Sequence, residues 1–128
     1  MDYNKQNILL FFERHMDVYP LYESFEAMLL REFPQTQVKL QKSQISFYNR
    51  HMFACVSFLH PKRKAELPPS YFILSLGMPY PLESPRAAVK AEPYPGRWTT
   101  HIVISSPDDL DLELFDWLRE AYEFSEYK

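Results

Sequence analysis

Apolar positions along this chain repeat with two different periods. Near the start, Ile8, Phe11, Phe12 and His15 follow helical spacing and Pro20 breaks the pattern after Tyr19, which predicts a first helix from about Asn4 to His15. Leu21, Phe25, Met28, Leu29 and Phe33 then share one helical face. Pro20 suits the first turn of that helix and Pro34 cannot continue it, so a second helix is predicted between them. From Val38 the period shortens to two. Val38 and Leu40 alternate with Lys39 and Gln41, and Ile45 and Phe47 alternate with Gln44, Ser46 and Tyr48. One strand, bent near Lys42, accommodates both halves.

Asn49, Arg50 and His51 read as a turn into a second strand, Met52 to Leu59. There Met52, Ala54, Val56 and Phe58 share one face and Phe53 and Cys55 the other, the pattern of a central strand. A basic loop, His60 to Ser70, leads to a third strand, Tyr71 to Leu76. A fourth, Trp98 to Ile104, sets Trp98, Thr100, Ile102 and Ile104 against Thr99, His101, Val103 and Ser105. Between these two strands, Pro79, Pro81, Pro85, Pro93 and Pro95 exclude a central strand or a helix interior and predict a long, stiffened loop. Within it, Pro79-Tyr80-Pro81 and Pro93-Tyr94-Pro95 are a local echo in which each tyrosine packs on a neighbouring proline. A last helix starts with Ser106 as N-cap, Pro107 in its first turn and Asp108, Asp109 and Asp111 facing the positive end of the helix dipole. Its apolar stripe is Leu110, Leu114, Trp117, Leu118 and Ala121. The expected architecture is a single α+β domain over 1–128: two N-terminal helices, a four-stranded antiparallel meander and one C-terminal helix, with the helices packed on one sheet face.

Composition narrows the function classes. A chain of 128 residues, 46% hydrophobic and 16% aromatic, is long enough for one substantial core and too apolar to stay disordered. Only Gly77 and Gly96 occur, so neither a Walker loop nor a dinucleotide fingerprint can be written into the chain, and no cofactor motif is present. A net charge of −3 offers no global attraction to nucleic acid or an anionic membrane. The apolar run Ile8 to Phe12 is too short to span a bilayer and lacks the flanks of a signal peptide. Cys55, the single cysteine, excludes an internal disulfide and makes the cytoplasm the simplest compartment.

The run Lys42-Ser43-Gln44-Ile45-Ser46-Phe47, then Phe53-Ala54-Cys55-Val56-Ser57, Arg97-Trp98-Thr99-Thr100-His101 and the Leu110-Asp111 pair, in that order after two helices, resemble a bacterial family of small α+β domains of unknown function. The resemblance covers most of the chain. It implies the same topology in a protein that stands alone or is fused to other domains. It brings no catalytic residue with it. The proline-rich stretch and the basic connection before Tyr71 depart from the family pattern.

Charge is unevenly spread. Residues 1–33 carry three basic and six acidic side chains, residues 34–105 nine and three, and residues 106–128 two and eight, so a +6 sheet region lies between helical segments of −3 and −6. With the helices on one face, the other presents Lys39, Gln41, Gln44, Ser46 and Tyr48, joined by Thr99 and His101. That surface suits a small anionic ligand or an acidic protein segment, with Lys42, Tyr48, Arg50, Arg97 and His101 as candidate contacts. The plainer reading is an ordinary solvated face whose charge complements its acidic helices. His101 with Arg97 or Arg50 could instead serve an enzyme acting on an anionic substrate, since imidazole titrates at about 6.5. A third reading is a homodimer that buries this face, with Trp117, Tyr122, Phe124 and Tyr127 as core stripe or dimer contact.

Metal and nucleic-acid readings are weaker. His51, Cys55 and His60 fall close together in the chain, but His51 and Cys55 would stand roughly 13 Å apart on an extended strand, too far to share one zinc. Cys55 reads as a small buried hydrophobe rather than a nucleophile. Lys62-Arg63-Lys64 is a short footprint for phosphate, better read as a solvated loop.

Overall fold

The computed structural model describes residues 5–58 and 67–127. His60 and the Lys62-Arg63-Lys64 triplet lie outside them. The elements are α1 (Lys5–Phe11), α2 (Tyr19–Glu32), β1 (Gln37–Leu40), β2 (Gln44–Tyr48), β3 (Met52–Ser57), β4 (Phe72–Met78), β5 (Ala87–Tyr94), β6 (Arg97–Ile104) and α3 (Leu112–Phe124). All pairings are antiparallel, in the order β1-β2-β3-β4-β6-β5. This is an α+β fold, with six strands where the periodicity predicts four. No helix among the described residues is long and apolar enough to cross a membrane.

The two additional strands have separate causes. What reads as one bent strand is a hairpin: the Gln41 N–H donates to the Gln44 carbonyl at 2.8 Å, closing a two-residue turn over Lys42 and Ser43. The other, β5, arises inside the proline-rich stretch expected to be a loop. It is an edge strand, paired on one side with β6, and its register slips between Ala91 and Tyr94, around Pro93. A proline that lacks a backbone donor is tolerated at an edge and at such an irregularity, though not in a central strand. Pro95 and Gly96 then turn the chain into β6, with Gly96 at φ 75°, a conformation that favours glycine.

The final helix also starts later than the N-cap signal at Ser106 suggests. Ser106 and Asp109 form a capping box around a single 3-10 turn, Pro107–Asp109, while α3 has its own N-cap, Asp111, whose carboxylate accepts the Leu114 N–H at 3.0 Å. At the other end of the chain, α1 closes at Phe11 and not at His15.

One core joins the sheet to the helices. Ile45, Phe47, Ala54, Val56, Phe72, Leu74, Leu76, Ile102 and Ile104 point from the strands towards Ile8 and Phe12 of the N-terminal segment, Tyr22, Phe25 and Leu29 of α2, and Leu114, Phe115 and Leu118 of α3. Phe25 sits at the centre, with Phe47, Phe72 and Phe115 rings around it at 5.9, 5.8 and 6.2 Å. Side chains of this kind each contribute about 1.5–3 kcal/mol by leaving water. A bulge opposite Phe47 and Tyr48 inserts one residue into β3, so Tyr48 pairs with Met52 and Phe47 with Ala54. Phe53 therefore joins the core beside Phe33 and Tyr122, correcting the strict alternation that puts it on the other face with Cys55.

Candidate functional site

Two short turns bring cations to the same end of the sheet. After α1, the N–H groups of Phe12, Glu13, His15, Val18 and Tyr19 each donate to the carbonyl three residues back. This tight winding exposes Arg14 and lays the His15 ring flat on Phe58, with centroids 3.8 Å apart and planes at 13°. Phe11 also lies against Phe58, at 5.4 Å. Facing these residues is the β1–β2 turn with Lys42 and Ser43. Between the two turns opens a cleft of about 500 Å³, lined by Arg14, His15, Lys42, Ser43, Ser57 and Phe58 among others.

The cleft is electrostatically one-sided. Two permanent cations and a histidine meet one carboxylate, Glu13. Neither Arg14 nor Lys42 takes part in an ion pair among the described residues. Ser57 is 4% exposed, yet its hydroxyl has no hydrogen-bond partner among the described residues. A buried hydroxyl left in that state costs about 1–3 kcal/mol. Thr36 and Thr100 carry similarly unpartnered hydroxyls, but only Ser57 of the three lines this cleft. Gln44 also lines it, its amide nitrogen donating to Gln41 Oε1 at 3.0 Å and to Ser46 Oγ at 2.8 Å.

On the sheet face away from the helices, a polar row crosses five strands. Lys39, Ser46, Cys55, Ser75 and His101 are successive cross-strand partners, ending against Val89 of β5. Ser75 Oγ and His101 Nδ1 lie 2.6 Å apart and share one hydrogen. Burial pushes the His101 imidazole below its ordinary value, which keeps it neutral near pH 7. Burial likewise pushes the Cys55 thiol up, against the opposing pull of its hydrogen bond with Ser75. Cys55 and His101 are thus both held neutral, the reverse of the thiolate–imidazolium pair a cysteine nucleophile requires. The centre of this face is closed: Ser46, Cys55, Ile73 and Ser75 are buried.

The five residues singled out from the sequence do not meet at one place. Lys42 lines the cleft. Tyr48 lies under the Lys39 ammonium, 4.4 Å from its ring centroid. Arg50 is exposed in the β2–β3 turn, at the opposite end of β2 from Lys42. Arg97 opens β6, four residues from His101, which is roughly 13 Å of strand. His51, weighed for metal binding, holds Nδ1 2.9 Å from the Ser125 carbonyl, and no three His, Cys, Asp or Glu side chains among the described residues are placed to hold a metal ion. Arg14, His15, Ser57 and Phe58 complete the cleft and carry no sequence signal linking them to Lys42. The change of alternation near Lys42 marked only the turn.

Fold and cleft together define a small α+β domain in which three helices cover one face of an antiparallel sheet and a basic cleft opens at one end. The chain belongs to the family described as Domain of unknown function (DUF5655), whose model matches residues 10–125 and so takes in every residue lining the cleft. No curated protein and no solved structure matches the chain.

Proposed function

We propose that this protein is a non-enzymatic binding domain for a small anionic ligand and that the ligand sits in the cleft between Arg14 and Lys42. The carrying observation is that two unpaired cations and the partnerless Ser57 hydroxyl line one cavity. A carboxylate or phosphate oxygen would accept from all three, making charge-assisted hydrogen bonds in a partly desolvated place. Binding rather than catalysis is supported by the state of His101, whose ring is neutral, half-buried and already engaged by Ser75.

The test is a thermal-shift titration with inorganic phosphate and with acetate at constant ionic strength. Both are expected to raise Tm in the wild-type protein and in Arg50→Ala and Arg97→Ala, and the shift is expected to vanish in Lys42→Ala and Arg14→Ala. A shift that survives in Lys42→Ala and disappears in Arg97→Ala would move the site to the far end of the sheet and end this reading.

A further inference from the structure

The cleft does not end at Lys42. A second hollow of about 300 Å³ adjoins it, lined by Asn7, Leu10, Phe11, Leu40, Gln41 and Lys42. The two share Leu10, Phe11 and Lys42 as a common wall. Their chemistry differs: the first gathers cations and hydroxyls, whereas the second is floored by Leu10, Phe11 and Leu40. Leu10 is 62% exposed, although Ile8 and Phe12 on the same segment are fully buried. Its exposure puts a large apolar side chain where the two hollows meet.

Resting on the anion-binding reading above, we infer that the ligand is an amphipathic carboxylate whose head lies between Arg14, Lys42 and Ser57 and whose short aliphatic tail crosses Leu10 into the second hollow. The methylene stem of Lys42 serves both parts, flanking the tail while its ammonium reaches the head. A bare anion would leave Leu10 in water. A wholly apolar ligand would leave both cations and the Ser57 hydroxyl without partners, so neither alone fits the pair of hollows.

Calorimetric titration of the full chain with acetate, butyrate, hexanoate and octanoate at constant ionic strength tests this. Affinity is expected to rise about two- to fourfold with each added methylene until the tail fills the second hollow. Leu10→Ser, a change at an exposed position, should flatten that series, lowering octanoate affinity far more than acetate affinity. Lys42→Ala should weaken every member. Equal affinities along the series, still reduced by Lys42→Ala, would overturn the tail while leaving the anion site intact. No binding by any member would overturn both. A rising series indifferent to Lys42→Ala and to Leu10→Ser would place the tail elsewhere and overturn the inference.

Discussion

Arg86 and the pair Arg14 and Lys42 are cations at opposite ends of a question about charge: what does a basic side chain do in a folded protein? Arg86 stands at the end of the connection between β4 and β5, and almost everything around it accepts a hydrogen bond. Its guanidinium reaches Asp111 at 3.0 and 3.2 Å, Glu113 at 3.1 Å and the Asp109 carbonyl at 2.8 Å, and it lies over the Trp117 ring at 5.4 Å. Burial alone would lower its pKa, but its hydrogen bonds to Asp111 and Glu113 and the charges of Asp111 and Asp109 raise it. Arg14 and Lys42 have no such partners among the described residues. The contrast separates a cation that holds the fold together from cations held by the fold for something else. Arg86 docks the connection onto the start of α3, and Tyr80 does the same further along, its hydroxyl donating to Glu120 and its pKa raised to about 12 by burial and that carboxylate.

The comparison breaks most visibly at Arg86. Arg86→Ala is expected to lose about 1–2 kcal/mol of stability in urea unfolding, the scale of a charged hydrogen-bond cluster discounted for its partly exposed carboxylates. A loss within the error of the Lys42→Ala measurement would erase the distinction. Next in size is Asp111, the α3 N-cap: Asp111→Ala should cost about 1 kcal/mol. The Leu114 N–H first, and Arg86 second, hold the Asp111 carboxyl below its ordinary 3.8. Because its folded pKa is depressed, its contribution is complete above 3.8 and is lost as pH falls through the lower folded value, so the stability gap between wild type and Asp111→Ala should narrow as pH falls below 3.8.

His101 gives a smaller effect in a different window. Its folded pKa lies below 6.5, so the unfolded chain binds the proton more readily and stability should decline as pH falls from 6.5 towards the folded value. His101→Gln should flatten that slope in pH-dependent urea titrations. At the cleft the signs change. Ser57→Ala removes a hydroxyl that has no partner, and is expected to leave stability unchanged or raise it by up to about 1 kcal/mol while weakening phosphate binding. Lys42→Ala and Arg14→Ala should stay within about 0.5 kcal/mol of wild type, as surface changes outside structural networks do. A cost above 1 kcal/mol at Ser57 or Lys42 would mean that the cleft is built for stability.

How much of this was legible beforehand follows from the range of each signal. Helical spacing from Leu21 to Phe33, bounded by Pro20 and Pro34, is a local pattern, and α2 forms where it points. The same holds for the face assignment of β6, where Ile102 and Ile104 are buried in the core and His101 is on the other side. The strand count failed where two readings were locally equal. Alternation runs through Val38–Tyr48 whether the chain bends or folds back at Lys42, and only pairing with β2 decides. Proline counts against a strand in general, yet β5 forms because its outer side needs no donor.

The sequence by itself determined the class of the fold, the helix-facing core and the limits on chemistry set by two glycines and one cysteine, because propensity, periodicity and composition act over a few residues. Tertiary structure alone decided the bulge that turns Phe53 inward, the clamp of Arg86 on α3 and the meeting of Arg14 and His15 with Lys42 and Ser57. Those depend on which strands pair and in what register, and residues such as Arg14 and Ser57, 43 positions apart in the chain, become neighbours only once that choice has been made.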